Sequence, residues 1–344
     1  MQTVKTCEQF KNAITSFQPK ILLGTYNVEK FIEDTYKKYP EVLCYLCGYK
    51  TLPALISGVY LLASYRNQEI QAKNISVAND KDELIEAMHD ALSHYRLKCA
   101  IIVPTSVNPE RTLSLFFNEY SGYYSNLINY TYYLGETFEK NKIAVTFDFN
   151  YRIGSVMLGI MERAVDDEVE KLIKTLFCAS MTDGEKAYVA HNYLAKIVEY
   201  YNRNDASSLD RSYMQSAYGA LIKKKCVCQG YAEAYKRILN AVGIECAVIC
   251  GKIIGSEEYH AWNVVIINGN RYHVDVTWDS IGAGMKSNEY FLKSDEYFIA
   301  TRLWQRTPKY ICPPAKNPLP EIRANIMLNT KKYISMGIDK KYLG

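Results

Sequence analysis

Among 344 residues there are only five histidines, three tryptophans and ten cysteines, and no apolar run approaches the length that a bilayer requires. Each shortage narrows the field. Cysteines this sparse and this irregularly spaced do not build a disulfide framework, so reduced, mostly buried thiols are expected. The pair in CYLC, Cys44 and Cys47, has metal or redox spacing but stands without a second pair and is read as core. The opening MQTVKTCEQFKNAITSF lacks an apolar stretch behind a basic start, so no signal peptide and no membrane contact are expected, and the cytoplasm is the expected location. Neither sign of charge dominates: 41 basic against 37 acidic residues leave +4. The basic residues are scattered apart from Lys223 to Lys225, which implies no nucleic-acid partner. No acidic cluster has the order of a calcium loop, so neither calcium nor another cofactor is expected.

What remains is a folded chain with 48% apolar and 23% charged residues, long enough for about two domains. Its first half reads as an internal duplication. The stretch FKNAITSFQPKILLGTYNVEKFIEDTYKKYPEVLCY overlays MHDALSHYRLKCAIIVPTSVNPERTLSLFFNEYSGYYSNLINY, with Ala13 on Ala91 and Lys20 on Lys98. Tyr36 then falls on Tyr120 and Arg66 on Arg152. Each copy predicts an amphipathic helix, a short apolar strand (Ile21 to Leu23; Ala100 to Val103), a second helix and further strands. Two α/β units, 1–70 and 71–153, are therefore expected ahead of a third region, 154–344. Many of the 30 tyrosines fall in this first half, as in YSGYYSNLINYTYY. They pack an aromatic-rich sheet or offer a surface to a protein partner.

From Gly154 the pattern turns helical. SVMLGIMERAVDDEVEKLIKTLF is followed by MTDGEKAYVAHNYLAKIVEYY, where Thr182 or Asp183 caps a helix with Glu185 in its first turn. His191 lies among apolar neighbours there and reads as packed. After a polar loop comes KKCVCQGYAEAYKRILNAVG, which predicts a helix from Gln229 or Gly230 with Ala232, Tyr235, Leu239 and Val242 on one face and Gly243 at its end. Cys228, four residues before Ala232, shares that face. A thiol at a helix N-terminus meets unpaired backbone N–H groups and the positive end of the dipole, which favour thiolate.

A thiolate nucleophile needs a base, and only His260 and His273 follow this helix. EYHAWNVVII and RYHVDVTWD alternate as strands around Asn268 and Gly269, the signature of a type I′ hairpin. Pairing Ile267 with Asn270 sets His260 against Thr277 and makes Asp275 its diagonal neighbour on one face. A carboxylate there holds the imidazole for proton transfer. That geometry favours His260 over His273. A zinc site from Cys226, Cys228, His260, His273 and Asp275 is the rival reading, against which the tight C-x-C spacing counts. A non-catalytic protein-binding module is the other.

The strings CVCQGYAEAYKRILNAVGI, HAWNVVIINGNRYHVDVTWD and NEYFLKSD, in this order between Met181 and Asp295, resemble the transglutaminase-like superfamily. The resemblance implies an α+β, papain-like core, a nucleophile helix on an antiparallel sheet. It also implies Cys228 as nucleophile, His260 as base and then acid, and Asp275 as its orienter. The implied chemistry is acyl transfer or hydrolysis at peptide or glutamine amide bonds through a thioester, with a protein or peptide as substrate. The oxyanion would meet the Cys228 N–H and a second, upstream donor, for which Tyr218 is the candidate. Gly255, Glu257 and Glu258 form the loop leading to His260; a solvated loop is the simpler reading, and gating of an acceptor the sharper one. Two positions depart from the family: Cys226 stands where glycine is common, and Arg302, Leu303 and Trp304 stand where some relatives place a histidine before a tryptophan.

Overall fold

The computed structural model describes residues 3–54, 58–120, 124, 126–137, 139, 141–201, 212–256, 258–281, 288–306 and 308–344. Its contacts divide the chain into Met1–Tyr151 and Arg152–Gly344. In the first unit, strands β1 (Thr3–Val4), β2 (Lys20–Leu23), β3 (Leu46–Pro53) and β4 (Val59–Tyr65) form a sheet in the order β1-β2-β4-β3. Strands β5 (Ile75–Val77), β6 (Lys98–Pro104), β7 (Leu127–Glu136) and β8 (Lys142–Tyr151) form another, in the order β5-β6-β8-β7. In both, a short edge strand runs parallel to the next and the remaining pairings are antiparallel. Lys20 and Lys98 each open the corresponding inner strand.

Helices enter where their caps allow. Thr6 and Gln9 close a reciprocal capping box on the helix Cys7–Thr15, whose Phe10, Ala13 and Ile14 face the core. Cys44 is buried as expected, and burial pushes its thiol up to about 11. The side chain of Cys47 lies outside the described residues, as does part of the tyrosine-rich stretch, at residues 121–123 and 125. None of the described helices is long and apolar enough to cross a membrane.

In the second unit the helix Ser155–Leu176 precedes Asp183–Ile197, which Thr182 and Glu185 cap reciprocally. The short strands β9 (Glu199–Tyr200) and β10 (Lys225–Cys226) pair in parallel and deliver the chain to the helix Cys228–Asn240. The polar loop between, at 202–211, lies outside the described residues. Strands β11 (Cys246–Ile253), β12 (Tyr259–Ile267), β13 (Asn270–Val274) and β14 (Arg302–Trp304) make an antiparallel sheet in the order β13-β12-β11-β14. The unit is thus a mixed α+β assembly. Tyr235 and Leu239 of the Cys228–Asn240 helix share one core with Val265 and Val274 of the sheet. Asn263 of β12 fastens helix to sheet by donating to Ala232 O at 3.0 Å and Ala247 O at 3.2 Å.

The hairpin register runs as its turn dictates, from Ile267 opposite Asn270 to Asn263 opposite Val274. Asn268 and Gly269 have φ of 52° and 77°, the left-handed pair that a type I′ turn demands. One expectation fails at the far end. After Val274 the chain leaves the sheet for a helix, Val276–Ile281, so Thr277 does not face His260, whose partner is Gly251 of β11.

The glycine after the C-x-C pair has a steric cause. A Cβ on Gly230 would lie 2.5 Å from Cys226 Cβ, 2.9 Å from its Sγ and 2.9 Å from Met214 O. Cys226 fills that space as a core residue, and burial, with the neighbouring Cys228 charge, holds its thiol well above the ordinary range. Gly230→Ala should cost about 1–3 kcal/mol by overpacking, read from urea denaturation, and Cys226→Gly in the same chain should recover part of it. A double variant no more stable than the single one would refute this packing.

Candidate active site

Cys228 is the first residue of its helix, behind Val227 in an extended conformation, so its own N–H is among those without an intrahelical acceptor. Burial opposes ionisation of the thiol. The hydrogen bond and charge of His260 and the backbone N–H of Ala261 outweigh it, and the thiol stands below its ordinary range.

His260 Nε2 meets Asp275 Oδ2 at 2.7 Å, which turns Nδ1 toward the thiol. The diagonal relation read from the hairpin therefore brings imidazole and carboxylate together, although Asp275 sits one residue past the strand. Its other oxygen, Oδ1, accepts the Trp278 N–H at 3.1 Å, so Asp275 also caps the helix Val276–Ile281. Burial would push the carboxyl up, but His260, Arg302 and the Trp278 N–H together hold it below the ordinary range. His260 is raised to about 9: burial disfavours its cation, and the charge and hydrogen bond of Asp275, with Cys228, prevail.

Arg302 Nη2 donates to the same Asp275 Oδ2 at 2.5 Å. The guanidinium is fully buried and lies 3.9 Å from the Trp278 ring centroid, 4.4 Å from Phe298, 4.9 Å from Tyr290 and 5.7 Å from Trp262. Its departure from the family pattern thus falls directly against the carboxylate.

The other two histidines of this unit also pair with aspartates. His273 donates from Nε2 to Asp295 Oδ1 at 2.8 Å and accepts the Trp262 indole N–H on Nδ1 at 2.9 Å. Burial keeps it low in pKa, with Arg302 and Arg306 opposing its cation and Asp295 favouring it. His191, read as packed, is fully buried, with Nε2 2.9 Å from Asp279 Oδ2.

The rival zinc grouping is not assembled, because His260 and His273 are committed to different carboxylates. Among the described residues, His273, Asp295 and Cys312 place ligand-type atoms within 4.8 Å of one another. The Trp262 N–H aimed at Nδ1 fixes the ring proton on Nε2, where a metal would have to bind.

Tyr218 lies in the helix Ala217–Leu221, packed on the large core with the Tyr213 ring at 5.9 Å and the Lys223 ammonium at 5.7 Å. Glu257 lies outside the described residues. Arg302, Ala261 and the Asp295 pairing of His273 were not found from the sequence. For Arg302 no local pattern exists, since its contact with Asp275 spans 27 residues; the one signal was the substitution at the position before Leu303 and Trp304.

The site has a pH signature. His260 is raised above its ordinary 6.5, so its stabilising contribution is complete below pH 6.5 and is lost as pH rises through about 9. Asp275 is lowered, so its contribution is present above 3.8 and is lost as pH falls through its lower folded value. The urea midpoint should therefore fall on the alkaline side toward pH 9, and Asp275→Asn should move that fall to lower pH. Superimposable pH dependences for the two proteins would contradict the assignment.

Residues 171–276 match the model of the transglutaminase-like superfamily. Kyphoscoliosis peptidase of Mus musculus is 25% identical over 146 residues, which are 39% of this chain and 22% of that protein. The Homo sapiens protein of the same name is 26% identical over 142 residues, 38% of this chain and 21% of its own. The matched segment thus spans about a fifth of either relative. A solved structure described as a TGase is 13% identical, covering 78% of each chain, with a TM-score of 0.32. The chain carries, over residues 171–276, a domain of the transglutaminase-like superfamily.

Proposed function

We propose that this protein performs thiol-dependent acyl transfer or hydrolysis at peptide or glutamine amide bonds, with Cys228, His260 and Asp275 as its triad. The observation that carries the reading is the buried relay: a thiol below its ordinary range bonded to His260, and His260 bonded to Asp275 at 2.7 Å. His260 takes the thiol proton as Cys228 Sγ attacks the carbonyl carbon. The C–S bond forms, and the electron pair moves onto oxygen. The Cys228 N–H at the helix head stabilises that oxyanion, and Tyr218 is retained as the candidate for the second donor. Collapse breaks the C–N bond, the amine leaves with the proton from His260, and a thioester remains. Water, deprotonated by His260, then attacks the thioester, and the proton returns to the departing Cys228 sulfur. An amine in place of water gives a transamidase.

His273 is the lesser candidate for the base, because its Nε2 proton goes to Asp295 and its Nδ1 lone pair to Trp262. The peptidase name of the mouse and human relatives supports hydrolysis as the main course. The helix carrying Cys228, tied to the sheet by Asn263, supports the papain-like arrangement of the core.

The common strand order of the two N-terminal sheets supports their origin by duplication of one α/β unit. Strand β7 exposes Ile128, Tyr133 and Leu134 along a sheet edge, which supports a role for that unit in holding a protein substrate or partner.

Iodoacetamide at neutral pH should alkylate Cys228 ahead of the other nine cysteines. Cys228→Ala should lower cleavage of unstructured peptides by roughly a thousandfold or more. With hydroxylamine present, the acyl product should appear as a hydroxamate. An unreactive Cys228, or a variant as active as the parent, ends this proposal; glutamyl-lysine cross-links without cleavage would select transamidation.

A further inference from the structure

In a three-residue relay the carboxylate beside the histidine has its charge to itself. Here it does not: Asp275 Oδ2 accepts from His260 Nε2 at 2.7 Å and from Arg302 Nη2 at 2.5 Å. We propose that Arg302 is a positioning residue that sets the pH window of the Cys228 and His260 pair by holding the Asp275 oxygen that His260 shares. The proposal rests on the reading of Cys228 and His260 as the reacting pair.

Three observations carry it. First, the cation is built in rather than tolerated. Arg302 is 0% exposed, its Nη1 is taken by Thr301 Oγ1 at 2.7 Å, and its Nε has no hydrogen-bond partner. A buried guanidinium with an incomplete set of acceptors is held by its carboxylate and by ring faces.

Second, the cage is made by the segments that carry the site. Trp262 stands two residues after His260 on β12, Trp278 follows Asp275 on the helix that Asp275 caps, and Phe298 lies on the helix Asp295–Phe298, with Tyr290 completing the wall. Arg302 itself pairs with Ile253 on β11, the strand that also flanks His260. Moving the guanidinium would disturb the placement of imidazole and carboxylate alike.

Third, among the described residues Asp275 is the carboxylate that pairs with this cation. From the helix Val276–Ile281, Asp279 is bonded to His191. From β13, His273 is bonded to Asp295, whose other oxygen faces Arg306 at 3.7 Å. Cys228 faces the site from its helix, and Tyr290 reaches it with a phenol that burial keeps protonated. The working set is then Cys228, His260, Asp275 and Arg302. With thiolate and imidazolium formed, it holds two negative and two positive charges and is neutral overall.

The consequence has a sign. A positive charge on the oxygen that His260 uses opposes the imidazolium, so Arg302 moderates the basicity that Asp275 confers. Removing that charge raises the proton affinity of His260 most, since it shares the oxygen, and that of Cys228 less. Packing alone would change stability and leave both midpoints in place.

The experiment measures two quantities against pH: the His260 midpoint, by NMR of ring-labelled histidine, and the rate at which iodoacetamide alkylates Cys228, by mass spectrometry. Arg302→Met should raise the His260 midpoint by about one unit, a tenfold gain in proton affinity, and carry the upper limb of the alkylation profile with it. Arg302→Lys, which keeps the charge, should stay near the parent. A folded Arg302→Met protein with the parental His260 midpoint overturns the proposal. Should that variant not fold, the unaltered protein carries the test. The Arg302 Nη protons should exchange slowly and accelerate at the His260 midpoint; exchange at solvent rates throughout overturns it. Both readouts need no substrate. Selective alkylation of another cysteine, or a reactive Cys228 without any acyl transfer, would count against the proposed function while the midpoint shift is still read.

Discussion

The carboxylate of Asp275 must remain ionised although it is fully buried, and the surrounding structure is arranged around that requirement. Burial alone would protonate it. Three donors reach it instead: the His260 ring, the Arg302 guanidinium and the Trp278 backbone N–H. Each comes from a different element, so β12, β14 and the helix Val276–Ile281 converge on one side chain. The thiol is drawn into the arrangement from the fourth direction, through His260.

The same solution recurs twice nearby. His191 with Asp279 and His273 with Asp295 are buried pairs that add a backbone donor to the carboxylate, from Tyr290 in the first case and Cys312 in the second. Because a buried polar group left unpaired costs more than a paired one gains, these pairs resist local rearrangement more than they add stability. They hold the chain at His273 and at Asp279, on either side of Asp275. Their hydrogen-bonding capacity is largely consumed, which sets them apart from His260, whose second nitrogen faces a thiol.

Local chemistry was readable wherever it is local. The Thr182 and Glu185 box, the Asn268 and Gly269 turn, and the helix that begins at Cys228 follow from neighbours in the chain, and the register that the turn sets carries Asp275 to the His260 side. Contacts between residues far apart in the chain leave no such local sign. Alternation continues through Val276 and Trp278, which extends the expected hairpin past Val274, whereas Asp275 caps a helix and ends the strand. Arg302 stands out in the sequence only as an unfamiliar residue, because a guanidinium held by rings from four separate segments leaves no periodicity. Cys226, the bystander of the C-x-C pair, packs so closely on position 230 that a residue with a Cβ does not fit there.

The two-residue turn at Asn268 and Gly269 lies at the end of the hairpin away from Asp275, exposed and without a chemical part. Its influence is arithmetical. Strand faces alternate with every residue, so the turn counts out which side of the sheet each later side chain occupies. Substitutions there change only how comfortably the chain bends. One residue added or removed without a compensating bulge reverses which face Tyr272, His273 and Val274 present and carries Asp275, which follows them, away from His260. The site is therefore indifferent to much of the composition of that remote loop and intolerant of its length, a constraint on insertion and deletion rather than on residue type.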